Sequence, residues 1–173
     1  MSNTPDTHRM TDADAFGRIE GWNDFADRVR AGMAVAAAQP AHLWLMDSHF
    51  AKWPLGERSV MEAFSQWGLG GRLARCTVVA TTLEELPRRH PRWLAWRSTW
   101  AHRTRCLLPT EEYQSPLPTF WILEGELGLR VLDPLTGRGV WTRKPADLVQ
   151  WQQEFDAISQ QCEEGLPPTT LGL

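Results

Sequence analysis

The chain has 173 residues, 42% of them hydrophobic and 23% charged, with a net charge of −3. Those are globular values rather than disordered ones, and the acidic balance disfavours a general nucleic-acid binder, whose footprint is basic. The longest small-apolar run, Ala34 to Ala38, falls far short of the ~20 residues of a membrane span. The polar start with Asp6, Asp12 and Asp14 lacks the apolar core of a signal peptide, so a cytoplasmic protein with no membrane contact is expected.

Residues 1–14 read as a disordered lead and residues 15–173 as a single domain. Ala15 to Glu20 is a candidate edge strand ending at Gly21. Asn23 is placed to cap a helix in which Phe25, Val29, Met33 and Ala36 recur at helical spacing until Pro40. His42 to Asp47 is an apolar run closed by a carboxylate, a buried-strand pattern, followed by a loop holding His49, Lys52 and Trp53. Glu57 to Trp67 forms a second helix, with Val60, Met61, Phe64 and Trp67 on one face and Gly68 at its C′ position.

Leu73 to Ala80 is the next strand, rich in β-branched residues. Thr82 and Glu85 match a capping box, and a helix runs from Pro91 to about Ala101. Arg105 to Leu108 is a third strand. The apolar runs on either side of Glu124-Gly125-Glu126 form a β-hairpin. After a turn at Asp133–Gly137 comes a short strand at Gly139–Thr142. Leu148, Trp151, Phe155, Ile158 and Cys162 then stripe a last helix opened by Pro145. This order implies an α/β fold, a mixed β-sheet flanked by helices on both faces.

Some chemistry is excluded. Cys76, Cys106 and Cys162 form no CxxC pair and read as core thiols. No HExxH, P-loop, GxGxxG or GxSxG pattern is present, so no metal or cofactor is expected. Two constellations remain. Asp47, Ser48, His49, Lys52 and Trp53 follow the first core strand, where open α/β sheets bind ligands. The segment from Arg88 to Arg105 carries six arginines, two histidines, three tryptophans and no acid. Its Trp93, Trp96 and Trp100 share one helix face, which is either core or an aromatic–arginine surface for anions.

The stretch Leu117-Pro118-Thr119-Phe120-Trp121-Ile122-Leu123-Glu124-Gly125 resembles the His-x-Lys-x4-Asp run of phospholipase D-like domains, and the chain is similar to one half of such a domain. In that register Glu124 takes the Asp position, Leu117 replaces the nucleophilic His, and Thr119 replaces the Lys. Trp53-Pro54-Leu55, Arg88 to Arg92, Trp100 to His102 and Thr169 to Leu173 resemble bacterial proteins of the same degenerate type. Related modules fused to acetyltransferase domains imply an accessory role.

The resemblance implies a non-catalytic module with no catalytic residue of the family's kind. Its expected binding residues are Asp47, His49, Trp53, Arg97, His102, Thr119 and Glu124. The expected partners are a second copy or another protein, or an anionic ligand or nucleic acid. An enzyme with a relocated acid/base site at Asp47, His49 and His102 is the alternative, and requires those three to meet. A structural or interaction protein without a small-molecule site is the third reading. Ten tryptophans are expected to leave aromatic surface for an interface.

Overall fold

The computed structural model describes residues 12–165. A helical turn, α1 (Asp12–Ala15), precedes β1 (Phe16–Glu20) and the long α2 (Trp22–Ala38). β2 (Leu43–Asp47) is buried along its whole length, as a strand covered on both faces must be. Next come α3 (Arg58–Gly68), a 3₁₀ turn (Gly71–Leu73), and β3 (Cys76–Ala80). The short α4 (Glu85–Arg89), α5 (Pro91–Thr99) and a second 3₁₀ turn (Ala101–Arg103) lead to β4 (Thr104–Pro109).

β5 (Thr119–Leu123) and β6 (Leu127–Asp133) make the hairpin, with Gly125 at φ +72° in its turn, a left-handed conformation that glycine adopts without steric cost. β7 (Arg138–Thr142), α6 (Pro145–Ser159) and β8 (Cys162–Glu164) complete the fold.

The eight strands form one sheet in the order β1-β7-β6-β5-β2-β3-β4-β8. β2, β3 and β4 are parallel, and β5 runs antiparallel to β2 with Leu43 opposite Leu123 and Met46 opposite Phe120. Alternation along the strands splits the core into two layers. Leu43, Leu45, Val78 and Trp121 face α2, α3 and α5, whereas Trp44, Met46, Val79 and Phe120 face α6. The expected α/β class, with a mixed sheet and helices on both faces, is the one found.

Several local expectations are corrected. Residues 12–15 are helical where a lead through residue 14 was expected; residues 1–11 and Thr169–Leu173, for which a lead and a family-like closing run were expected, lie outside the described residues. α2 begins at Trp22 after Gly21, not after an Asn23 cap; the Asp24 carboxylate instead accepts the Glu20 amide at 2.9 Å. Gly68 lies inside α3, whose cap is Leu69. The Thr82 hydroxyl accepts the Glu84 amide at 3.2 Å, a local ST turn in place of a capping box.

Cys162 continues the spacing of the α6 stripe, yet it opens β8, which pairs with the outer edge of β4. The tryptophans form no exposed aromatic surface. Trp44, Trp53, Trp67, Trp93, Trp96, Trp121 and Trp151 are buried, and Trp22, Trp100 and Trp141 pack partly buried against the core. The Trp93/Trp96 face of α5 is therefore core.

Candidate functional site

β2, β3 and β4 all end at one edge of the sheet, and antiparallel β5 begins there. That register sets Thr119 beside Asp47. Asp47 is 6% exposed, and both of its carboxylate oxygens are engaged. Its Oδ1 accepts the Thr119 hydroxyl at 2.5 Å, and its Oδ2 accepts the amides of Phe50 at 2.8 Å and His49 at 3.2 Å. Three donors thus occupy most of the acceptor sites of this carboxylate.

The loop it holds is strained. Phe50 has φ 57° with its side chain wholly buried, an uncommon conformation for a bulky residue. The Phe50 amide is fixed by Asp47, and its carbonyl accepts His90 Nε2 at 2.7 Å. That bond places the proton of neutral His90 on Nε2. Burial, reinforced by Arg89, holds the His90 pKa below its ordinary value against the opposing effect of the Phe50 bond. His90 was not among the expected site residues, and only its place before Pro91 hinted at a fixed role.

His49 is half-exposed, with Nδ1 accepting the Ala51 amide at 3.1 Å and lying 4.0 Å from Asp47 Oδ2. Trp53, expected at a binding surface, is a core side chain packed edge-on against Phe25 and Phe50. Leu117 and Thr119, which the sequence resemblance set at the family's nucleophile and lysine positions, are 7% and 5% exposed.

A cleft of about 330 Å³ beside them is lined by Tyr113, Leu117, Arg130, Leu132 and Glu154. Its one guanidinium, Arg130, makes paired bonds of 2.8 and 3.0 Å to Glu154 and lies 4.8 Å over the Phe120 ring, so its charge is neutralised. The thiols supply no nucleophile here. Burial pushes Cys76 well above its ordinary pKa and Cys106 up to about 11. Among the described residues no group of His, Cys, Asp and Glu is arranged to hold a metal ion.

The remaining expected residues lie elsewhere. His102 precedes β4, whose Thr104 pairs with Cys76, which pairs with Leu43 at the start of β2. Asp47 closes the same strand, about 13 Å away at ~3.3 Å per residue. The relocated acid/base trio of Asp47, His49 and His102 therefore does not assemble. Glu124 is also at the far end: its amide donates to the His42 carbonyl at 3.0 Å, and its side chain is exposed in the hairpin turn. Arg97 is buried beneath α5 beside Cys106, so it offers no open anion site.

That far end holds a feature that sequence reasoning missed as a unit. His42, Arg72, Arg75, Thr77, His102 and Arg105, together with Arg103, line a concavity of about 420 Å³. They come from separate segments that meet only when β2, β3 and β4 align. The His102–Arg105 portion was visible as the end of the arginine-rich segment.

No protein-family model and no curated protein sequence matches the chain. Its fold is similar to that of TrmBL2, described as an archaeal chromatin protein with a novel mode of DNA binding. That likeness has a TM-score of 0.64 at 12% identity and covers 92% of this chain and 57% of that one. It is also similar to NucT from Helicobacter pylori, with a TM-score of 0.51 at 8% identity over 87% of this chain and 99% of that one. Nuc of Salmonella typhimurium, a phospholipase D family member, gives 0.52 at 9% identity over 79% and 90%. The chain spans little more than half the length of the chromatin protein. At these identities the likeness establishes a phospholipase D-like fold and leaves chemistry to the residues.

Proposed function

We propose that this chain is a non-catalytic binding module built on the phospholipase D-like fold. The observation that carries the reading is the state of the strand-end site. The nucleophile position is a buried Leu117, which has no lone pair to attack phosphorus. The cation position is Thr119, whose hydroxyl is bound to Asp47 at 2.5 Å. A phosphodiesterase of this kind needs a nucleophile and a positive charge for the developing phosphorane oxygens, and these two positions supply neither. The chromatin protein among the similar structures supports a binding role, since it is described by DNA binding rather than by turnover.

Self-association belongs to the same reading. Leu132 (61% exposed) lines the cleft beside Leu117, and Leu135 (92% exposed) follows in the next turn, where a second copy could bury them. The test of the non-catalytic claim is release of p-nitrophenolate from bis(p-nitrophenyl) phosphate. The expected rate equals that of buffer. Turnover that disappears on substituting Asp47→Asn or His49→Ala would overturn the claim.

A further inference from the structure

We infer that the arginine-lined concavity at the N-terminal ends of β2, β3 and β4 binds the phosphodiester backbone of a single-stranded nucleic acid. This rests on the binding-module reading and assigns its ligand to the edge of the sheet opposite the family's catalytic edge. The charge there is largely uncompensated. Arg72 and Arg75 are exposed and have no acidic partner among the described residues. Arg103 meets no carboxylate among the described residues: it donates to the carbonyls of Gly68 and Gly71 and to His102 Nε2, and lies 5.4 Å over the Trp100 ring. Arg105 alone meets a carboxylate, Glu164 at 3.2 Å.

The field is felt by the floor of the concavity. Burial first, and then the charge of Arg75, push the His42 pKa down to about 4, so the imidazole is neutral at pH 7. Its Nε2 lies 3.1 Å from the Thr77 hydroxyl, giving an uncharged hydrogen-bonding floor beneath a cationic rim.

The shape favours a chain of phosphates over one small anion. The arginines are not gathered around a point. Arg75 precedes Cys76, whose partner is Thr104, while Arg105 pairs with Thr77, one step further along the strands. The cations therefore spread along and across two adjacent strands, several ångströms in each direction. Guanidinium groups suit phosphate oxygens because they bond them in pairs and are weakly hydrated.

A stacking platform adjoins them. The exposed ring is that of His102, backed by Trp100 at 5.9 Å, and it is His102 that can receive an unpaired base at the end of the track. Glu124 and Glu126, in the adjacent hairpin turn, bound the track on one side.

The test is fluorescence anisotropy of a labelled 12-nucleotide single strand, titrated with the full chain over a salt series. The comparison is R72E/R75E against R58E/R88E, an equal charge change at exposed positions outside the concavity. The expected result is binding by the parent and by R58E/R88E, with affinity reduced about tenfold or more in R72E/R75E. The log–log salt slope should fall by about 1.4, at ~0.7 for each phosphate that is no longer neutralised.

Near-UV circular dichroism checks that each variant folds, and the milder R72Q/R75Q should weaken binding in the same direction. Absence of binding at low salt overturns the inference, as does equal binding by R72E/R75E. Equal competition by polyglutamate, or a preference for duplex over single strand, also overturns it. Cleavage of the oligonucleotide overturns the non-catalytic reading instead, and leaves the assigned surface standing.

Discussion

Thr119→Val isolates the contact that occupies the strand-end site. Valine matches threonine in shape, so packing around this 5%-exposed side chain is preserved and the hydroxyl alone is removed. The bond it removes is 2.5 Å long, is buried, and ends on a carboxylate that keeps only the amides of Phe50 and His49. Hydrogen bonds to charged groups contribute about 1.5–3 kcal/mol, so the expected destabilisation is about 2 kcal/mol. With an m-value of about 2 kcal/mol/M, typical for urea, the unfolding midpoint should fall by about 1 M. Urea titration followed by tryptophan fluorescence measures this directly. A cycle with Asp47→Asn and the double variant should return a coupling of at least ~1 kcal/mol. A midpoint unchanged by Thr119→Val, or zero coupling, would refute the reasoning. It would mean that Thr119 and Asp47 are available to a ligand.

Gly32→Ala should destabilise by about 1–3 kcal/mol, the usual cost of overpacking, because an added Cβ meets the Trp121 ring at 2.6 Å across the α2–β5 contact; thermal melts check this. Stability should also fall as pH is lowered from about 6.5 towards about 4. His42 stays neutral down to about 4 in the folded chain but protonates near 6.5 when unfolded, so the unfolded state gains the proton first. His90, also lowered, acts with the same sign, and His42→Gln should flatten the slope of urea-derived stability against pH. Ellman's reagent should titrate one thiol quickly in the native protein, the half-buried Cys162, and all three after denaturation.

The fold was largely legible because its strongest elements carry periodicity. His42 to Asp47 reads as a buried strand, Leu148 to Cys162 as one helix stripe, and Glu124-Gly125-Glu126 as a hairpin turn; the strand is found at Leu43–Asp47, the helix at Pro145–Ser159 and the turn between β5 and β6. β8 was not legible. Cys162 keeps the helical spacing, and only the unpaired outer edge of β4 draws Cys162–Glu164 into the sheet.

The site was half legible for a related reason. Asp47, His49 and Thr119 share an edge because β5 runs antiparallel to β2. The same reversal sends Glu124 to the opposite end, and sequence spacing alone does not reveal strand direction. Arg97 follows Trp96 on the inward side of α5 and is buried, although its charge suggested a surface role. Trp53 is a parallel case: an aromatic in a polar loop, drawn into the core by Phe25 and Phe50. The basic concavity draws on His42, Arg72, Arg75 and Arg105, which are brought together only by strand pairing.

The most direct test of the binding-module account reads anisotropy and fragment length from the same tubes, with the labelled single strand and an excess of protein. The account predicts a strand that is bound and remains full length after prolonged incubation. A strand that is shortened, or one that stays free at low salt, would contradict it.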